Sequence, residues 1–304
     1  VQAGDHKRLN RLAGVASVTV AALLVALKLW AMIETGALSI AASLADNALD
    51  LMVSLGGLAA ILYAARPPDE DHAFGHTSAE DLAALAQAAF VTASGVLIGW
   101  AAGARLITGA VEPLRSEGWG MAVMGVSILL TGALVLFQRR VAARTGSRVV
   151  AADSLHYLSD LLPNIGAIVS LFAAAYWDFQ YLDSIVAILA AAVLVTGGAR
   201  IGKGAWDALM DRAADAEVIA GIERIARDYP GVHGFHDLKT RTAGAKVFVN
   251  LHIELDGSQT LDKAHEIGAG LKRAIVAAYP QADVIIHKDP VRETGTPPPP
   301  AATP

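Results

Sequence analysis

The sequence predicts an α-helical membrane protein, a bundle of six transmembrane helices followed by a small α/β domain. Composition is the first reason. Of 304 residues, 54% are hydrophobic and only 17% charged, and the mean hydropathy is +0.45, a balance that soluble domains rarely show. Charge placement is the second: residues 82–104 and 118–138 contain no Asp, Glu, Lys or Arg, and each is long enough to cross a ~30 Å hydrocarbon core as a helix. The third is a change of character near Lys203, where the apolar runs stop and the periodicities of a soluble domain begin.

Taken in order, the apolar segments place spans at about 12–33, 39–63, 82–107, 118–138, 150–175 and 182–201, within a membrane domain of residues 1–202. Spans one, two and five are amphipathic. They hold Lys28, Asp46, Asp50, His156 and Asp160, which cannot face lipid and so line the interior. His6, Lys7, Arg8 and Arg11 precede the first span, and Arg139, Arg140, Arg144 and Arg148 separate the fourth from the fifth. The excess of bases marks both segments as cytoplasmic. The opposite loops hold few bases, Arg105 and Arg115 excepted. An even span count then leaves both termini in the cytoplasm. The first apolar stretch is too long for a cleavable signal peptide. The absence of Cys excludes disulfides and thiolate ligands, and a net charge of −5 gives no hint of nucleic acid.

Residues 203–290 read as a second domain. Asp215 can cap a helix running to about Asp228, where Tyr229, Pro230 and Gly231 end it. A strand is expected over Val232–Arg241, then a turn at Thr242–Gly244. In Lys246–Leu255 the alternation is nearly strict: Val247, Val249, Leu251, Ile253 and Leu255 face a core, and Lys246, Phe248, Asn250, His252 and Glu254 face away. A helix over Leu261–Tyr279 and a strand over Asp283–His287 complete an α-β-β-α-β, ferredoxin-like order with helices on one face of the sheet. The proline-rich tail in 291–304 is expected to be disordered.

The chemistry is concentrated in two pairs, Asp46-x-x-x-Asp50 and His156-x-x-x-Asp160. A spacing of four sets each pair on one helix face with ~5–6 Å between Cβ atoms, so two adjacent helices can converge four ligands on one ion. A central Asp costs about 2.5–3.5 kcal/mol to insert, so these carboxylates need a positive partner. Lys28 alone cannot neutralise three of them. Three carboxylates and an imidazole suit a borderline divalent ion, zinc first, with cadmium, ferrous iron and cobalt behind it. Magnesium and calcium want six or more oxygens.

Four stretches together carry a resemblance: Ser43–Asp50 (SLADNALD), His72–His76 (HAFGH), Ala152–Asp160 (ADSLHYLSD) and Asp283–Pro290 (DVIIHKDP). Their order and spacing, over residues 8 to 290, are similar to the cation diffusion facilitator family, and within it to the bacterial zinc and ferrous-iron efflux branch. The resemblance implies a homodimeric exporter of the bacterial inner membrane with a tetrahedral transport site at Asp46, Asp50, His156 and Asp160. It implies a second metal site after span two, at Asp69, His72 and His76, and a binuclear site between cytoplasmic domains at His236, His252, His265, His287 and Asp289. Seven of the nine histidines fall on these positions. One departure stands out. Relatives carry a Lys after the His-x-x-x-His motif that pairs with an Asp at the end of span six; here Ser78 takes the Lys position while Asp211 is retained.

Metal binding needs deprotonated ligands, whereas an empty acid cluster in low dielectric holds protons, so the two cargoes compete for one site. Proton antiport with alternating access follows, with His156 as the proton-coupling ligand because its ordinary pKa is closest to cytoplasmic pH. A membrane-anchored metal sensor or scaffold without transport is the alternative. An intramembrane metalloenzyme needs an open coordination position and a general base, and no His-Glu-x-x-His is present.

Overall fold

The computed structural model describes residues 3–35, 38–108, 118–177 and 182–291. It divides into two compact units, Val1–Met210 and Asp211–Pro304. The proline-rich tail lies outside the described residues.

The first unit has six helices: α1 (Ala3–Thr35), α2 (Leu38–Ala64), α3 (Ser78–Thr108), α4 (Gly118–Thr145), α5 (Arg148–Trp177) and α6 (Leu182–Leu209). Every expected span lies within one of them. All but α5 contain, among the described residues, a segment long and apolar enough to cross a membrane. At 30 residues and 1.5 Å per residue, α5 reaches about 45 Å and is long enough to span. Besides an apolar core, the unit buries polar residues and exposes large apolar ones. Leu97, Trp100, Ile107 and Leu129 are exposed, whereas Ser17, Ser54, Gln87, Gln138, Asp153 and His156 are buried. Hydrocarbon accepts the first group without cost, and only protein can accept the second.

In this unit α3 lies along α6, α1 packs on α2 and α4, and α5 packs against α3, α4 and α6. Small residues set the α3–α6 approach. A Cβ at Gly95 would sit 3.0 Å from Leu194, one at Gly99 3.2 Å from Ala191, and one at Gly198 would collide with Thr92. Gly197 closes on Leu155 at 3.0 Å and Gly57 on Gln87 at 3.1 Å, but Gly56 faces open space, so only one of that pair has a packing reason. The last helix overruns the sequence expectation. α6 continues to Leu209, and the units divide after Met210 rather than after residue 202, because Gly202, Lys203 and Gly204 end the apolar run without breaking the helix.

The second unit follows α7 (Ala216–Arg227), β1 (Gly234–Ala243), β2 (Lys246–Leu255), α8 (Leu261–Ala278) and β3 (Ala282–Pro290). β2 is central, antiparallel to β1 and parallel to β3. The predicted alternation holds: Val247, Val249, Leu251, Ile253 and Leu255 are all buried, and with Ile222, Leu271, Ile275 and Val284 they form the core. Phe248, on the other face, is also buried, with the Arg241 guanidinium 4.3 Å from its ring centroid. Asp215 occupies the N-cap of α7 but makes no side-chain cap bond. The cap that forms is on α8, where Thr260 Oγ1 accepts from the Lys263 amide.

Candidate metal centres

Two adjacent helices place the first cluster. One ligand atom each of Asp50 on α2 and His156 and Asp160 on α5 lies within 4.8 Å of the others, and His156 Nε2 is 3.2 Å from Asp50 Oδ1. The imidazole is 2% exposed, and neither ring nitrogen is in hydrogen-bond geometry with a described residue. The rings of Phe90 and Tyr157, each 5.6 Å away centroid to centroid, hold its orientation. A buried imidazole nitrogen lacking a hydrogen bond beside two carboxylates is an arrangement that a cation completes. The fourth expected ligand, Asp46, is exposed and lies outside this group; one turn of α2 carries it about 6 Å along the axis from Asp50. Lys28 of α1 approaches the same carboxylates electrostatically, and its Nζ donates a 2.6 Å bond to Asn47 Oδ1.

The connection between α2 and α3 gathers Asp69, His72 and His76 within the same limit. Asp69 Oδ1 is 3.3 Å from His72 Nδ1 and its Oδ2 3.1 Å from His76 Nε2. The His72 amide donates to Asp69 Oδ1 at 2.7 Å, and this bond is the main cause holding the Asp69 carboxyl below the ordinary carboxylate range. Gly75, at φ +88°, turns the chain so that both rings meet one carboxylate. His76 is buried against Tyr63, ring edge to face.

Strand register builds the third cluster. His236 on β1 pairs with His252 on β2, and His252 with His287 on β3, so three imidazoles form a row across one sheet face. His236, His252 and Asp289 have ligand atoms within 4.8 Å of one another. Asp289 Oδ2 is 3.0 Å from His252 Nδ1 and 3.4 Å from His236 Nε2, while its Oδ1 is 3.4 Å from His287 Nε2. One carboxylate thus reaches all three rings. A bulge sets two β1 residues, Asp237 at φ +49° and Leu238, against Leu251, and it turns His236 onto the row. His265 stands exposed on α8, outside the group in a single chain. Asp211, expected at a contact between copies, has φ +56° and bonds Arg241 of its own unit at 3.1 Å.

Sequence reasoning missed two participants. Glu254 Oε1 lies 3.2 Å from His236 Nδ1; the shared face of His252 and Glu254 was a readable sign, but its meeting with His236 depends on register. Gln138 donates to Asp153 at 2.6 Å, and nothing in an apolar span marks that contact.

Comparison with known proteins identifies the family of both units. The cation efflux transmembrane domain matches residues 14–210, and the cation efflux protein cytoplasmic domain matches residues 214–291. A cation-efflux pump FieF of Shewanella oneidensis is 42% identical over 282 residues, 93% of this chain and 94% of that protein. Those of Serratia proteamaculans and Cronobacter sakazakii are 37% and 38% identical, each over 94% of both chains.

Proposed function

The chain belongs to the cation efflux family and is a multi-pass membrane transporter of divalent cations, not an enzyme; from that premise we propose that zinc is its main cargo, exported across the inner membrane in exchange for protons. The observation that carries the reading is the buried His156 ring, its nitrogens outside hydrogen-bond geometry, beside Asp50 and Asp160. A nitrogen with carboxylate oxygens suits zinc, with cadmium, ferrous iron and cobalt next. Asp46, one turn away, supplies the fourth ligand when α2 shifts. Metal entry requires deprotonated ligands and so expels protons, chiefly from His156; the empty cluster takes them up again. Alternating exposure of this site converts that competition into antiport. Both termini lie in the cytoplasm on this reading, following the bases before α1 and between α4 and α5.

The cytoplasmic row of His236, His252, His287 and Asp289 regulates rather than transports. It lies on the sheet face without helices, and a homodimer brings His265 of a second copy within its reach. The loop site at Asp69, His72 and His76 is accessory. Asp211 is already held by Arg241 and Ser78 supplies no cation, so the dimer rests on contacts other than that salt bridge.

Reconstituted vesicles loaded with a zinc dye and a pH dye test the reading. Wild-type protein should move zinc and protons in opposite directions, and Asp50→Ala should abolish both while remaining folded. Wild-type zinc flux in Asp50→Ala would falsify the site assignment, and a panel of divalent ions ranks the cargo.

A further inference from the structure

Where α1, α3 and α5 begin, a cluster of polar side chains closes one end of the bundle, and the ligand chemistry leaves it unused. Asp81 on α3 is 1% exposed, and its Oδ1 accepts a 2.7 Å hydrogen bond from Arg148 Nη1 on α5. The neighbouring Glu80 accepts a 3.1 Å bond from the Ser147 hydroxyl and another from the Asn10 side chain on α1. Each contact ties α3 to a different segment: α1, the turn between α4 and α5, or α5 itself. Gly146, at φ +70°, makes that turn. On α6, Gly204 leaves room for Arg148, since a Cβ there would stand 3.4 Å from the guanidinium Nε.

Behind the cluster the helices are sealed. Ala13, Ile61, Ala84, Val149, Val150 and Ala152 are each no more than 5% exposed and pack as one core. Beside Val149 and Val150 they leave a cavity with room for only about one water molecule. His156 lies about 12 Å further along α5 than Arg148, at 1.5 Å per residue, so the described residues leave an ion no passage to it from this end. Asp46 is exposed, and it lies on the side of Asp50 away from the sealed end, to which α2 returns at Ala64.

Polar contacts suit a closure that must reopen. When the helix ends part, water takes the place of each partner, so the bonds bias the closed form without fixing it. Arg148, with 31% of its side chain exposed, already stands at the water's edge. We propose that Asp81 and Arg148, backed by Glu80 and Ser147, latch this end of the bundle shut, and that their separation opens the transport site to the cytoplasm. The proposal rests on the orientation and the alternating exposure of the preceding section.

The chain has no cysteine, so single introduced thiols report opening in the full-length protein reconstituted in vesicles. Val150→Cys, at a position 2% exposed, stands behind the latch, and Leu194→Cys, at a fully buried position facing Gly95 of α3, reports general loosening. Arg148→Gln should speed labelling of Val150→Cys by an impermeant maleimide from the cytoplasmic face by about tenfold, the effect of losing one charged hydrogen bond, and leave Leu194→Cys unlabelled. Asp81→Asn should do the same. An unchanged rate at Val150→Cys overturns the proposal. So does equal acceleration at both thiols, which marks a structural role alone. Should Arg148→Gln not fold, Asp81→Cys with Arg148→Cys carries the test: bridging the two thiols with a reducible cross-linker must stop zinc flux, and reduction must restore it. Flux indifferent to complete bridging also overturns the proposal. If the wild type moves no zinc, or Val150→Cys reacts only from the opposite face, the transport reading or its orientation fails and the proposal falls with it, a result distinct from an unchanged rate in Arg148→Gln.

Discussion

Burying the His156 imidazole beside Asp50 and Asp160 costs the bundle desolvation that an apolar side chain of similar volume would avoid. A site tuned for stability alone would not retain it. Asp69 shows the opposite residue-scale economy, since an amide donor from its own turn favours the charged carboxylate. A carboxyl whose pKa is lowered in the folded protein contributes order that is present above its ordinary value of 3.8 and is lost as pH falls through the lowered value. Hydrogen exchange, corrected for intrinsic rate, should therefore find the His72 amide protected down to about pH 4 and exposed only below it. Loss of protection already near pH 5 would contradict the bond. Asp69→Asn should remove the pH dependence.

At the scale of elements, two tyrosines and two glycines couple α7 to α8. A Cβ on Gly270 of α8 would collide with the Tyr229 hydroxyl, and one on Gly221 of α7 with that of Tyr279. Gly→Ala inside a helix ordinarily stabilises by about 1 kcal/mol, and overpacking costs about 1–3 kcal/mol. Gly270→Ala should accordingly bring no gain, while Gly270→Ala with Tyr229→Phe recovers it. Thermal melts of the two variants decide, and a clearly stabilised single mutant would refute the interlock. This reciprocity is not legible in the sequence, because each tyrosine lies just past the end of one helix and meets a glycine of the other. What was legible is what repeats locally: the six spans, the alternation of β2, and the four-residue spacing that sets His156 and Asp160 on one face of α5. The end of α6, the bulge that aims His236 and the failed cap at Asp215 depend on contacts distant in sequence, and so did the exposure of Asp46.

For the whole molecule, ions held at the three proposed clusters would add stability as well as serve transport. An ion that binds only the folded state adds RT ln(1 + [L]/Kd), about 2.7 kcal/mol at a hundredfold excess over Kd. Zinc should raise the melting temperature of the full chain in detergent, and His252→Ala should lose most of the part that belongs to the C-terminal unit. Equal zinc shifts in the two proteins would show that the histidine row holds no metal. That row has a consequence for how the chain reaches its native form. His287 joins His252 only because β3 runs beside β2 with these two residues opposite each other. A slip of one position would turn His287 toward the helices and bring Ile286 or Lys288 to the sheet's open side. Zinc bound at the row as proposed would reward one strand pairing among the near-misses and act as a proofreader of the sheet during assembly.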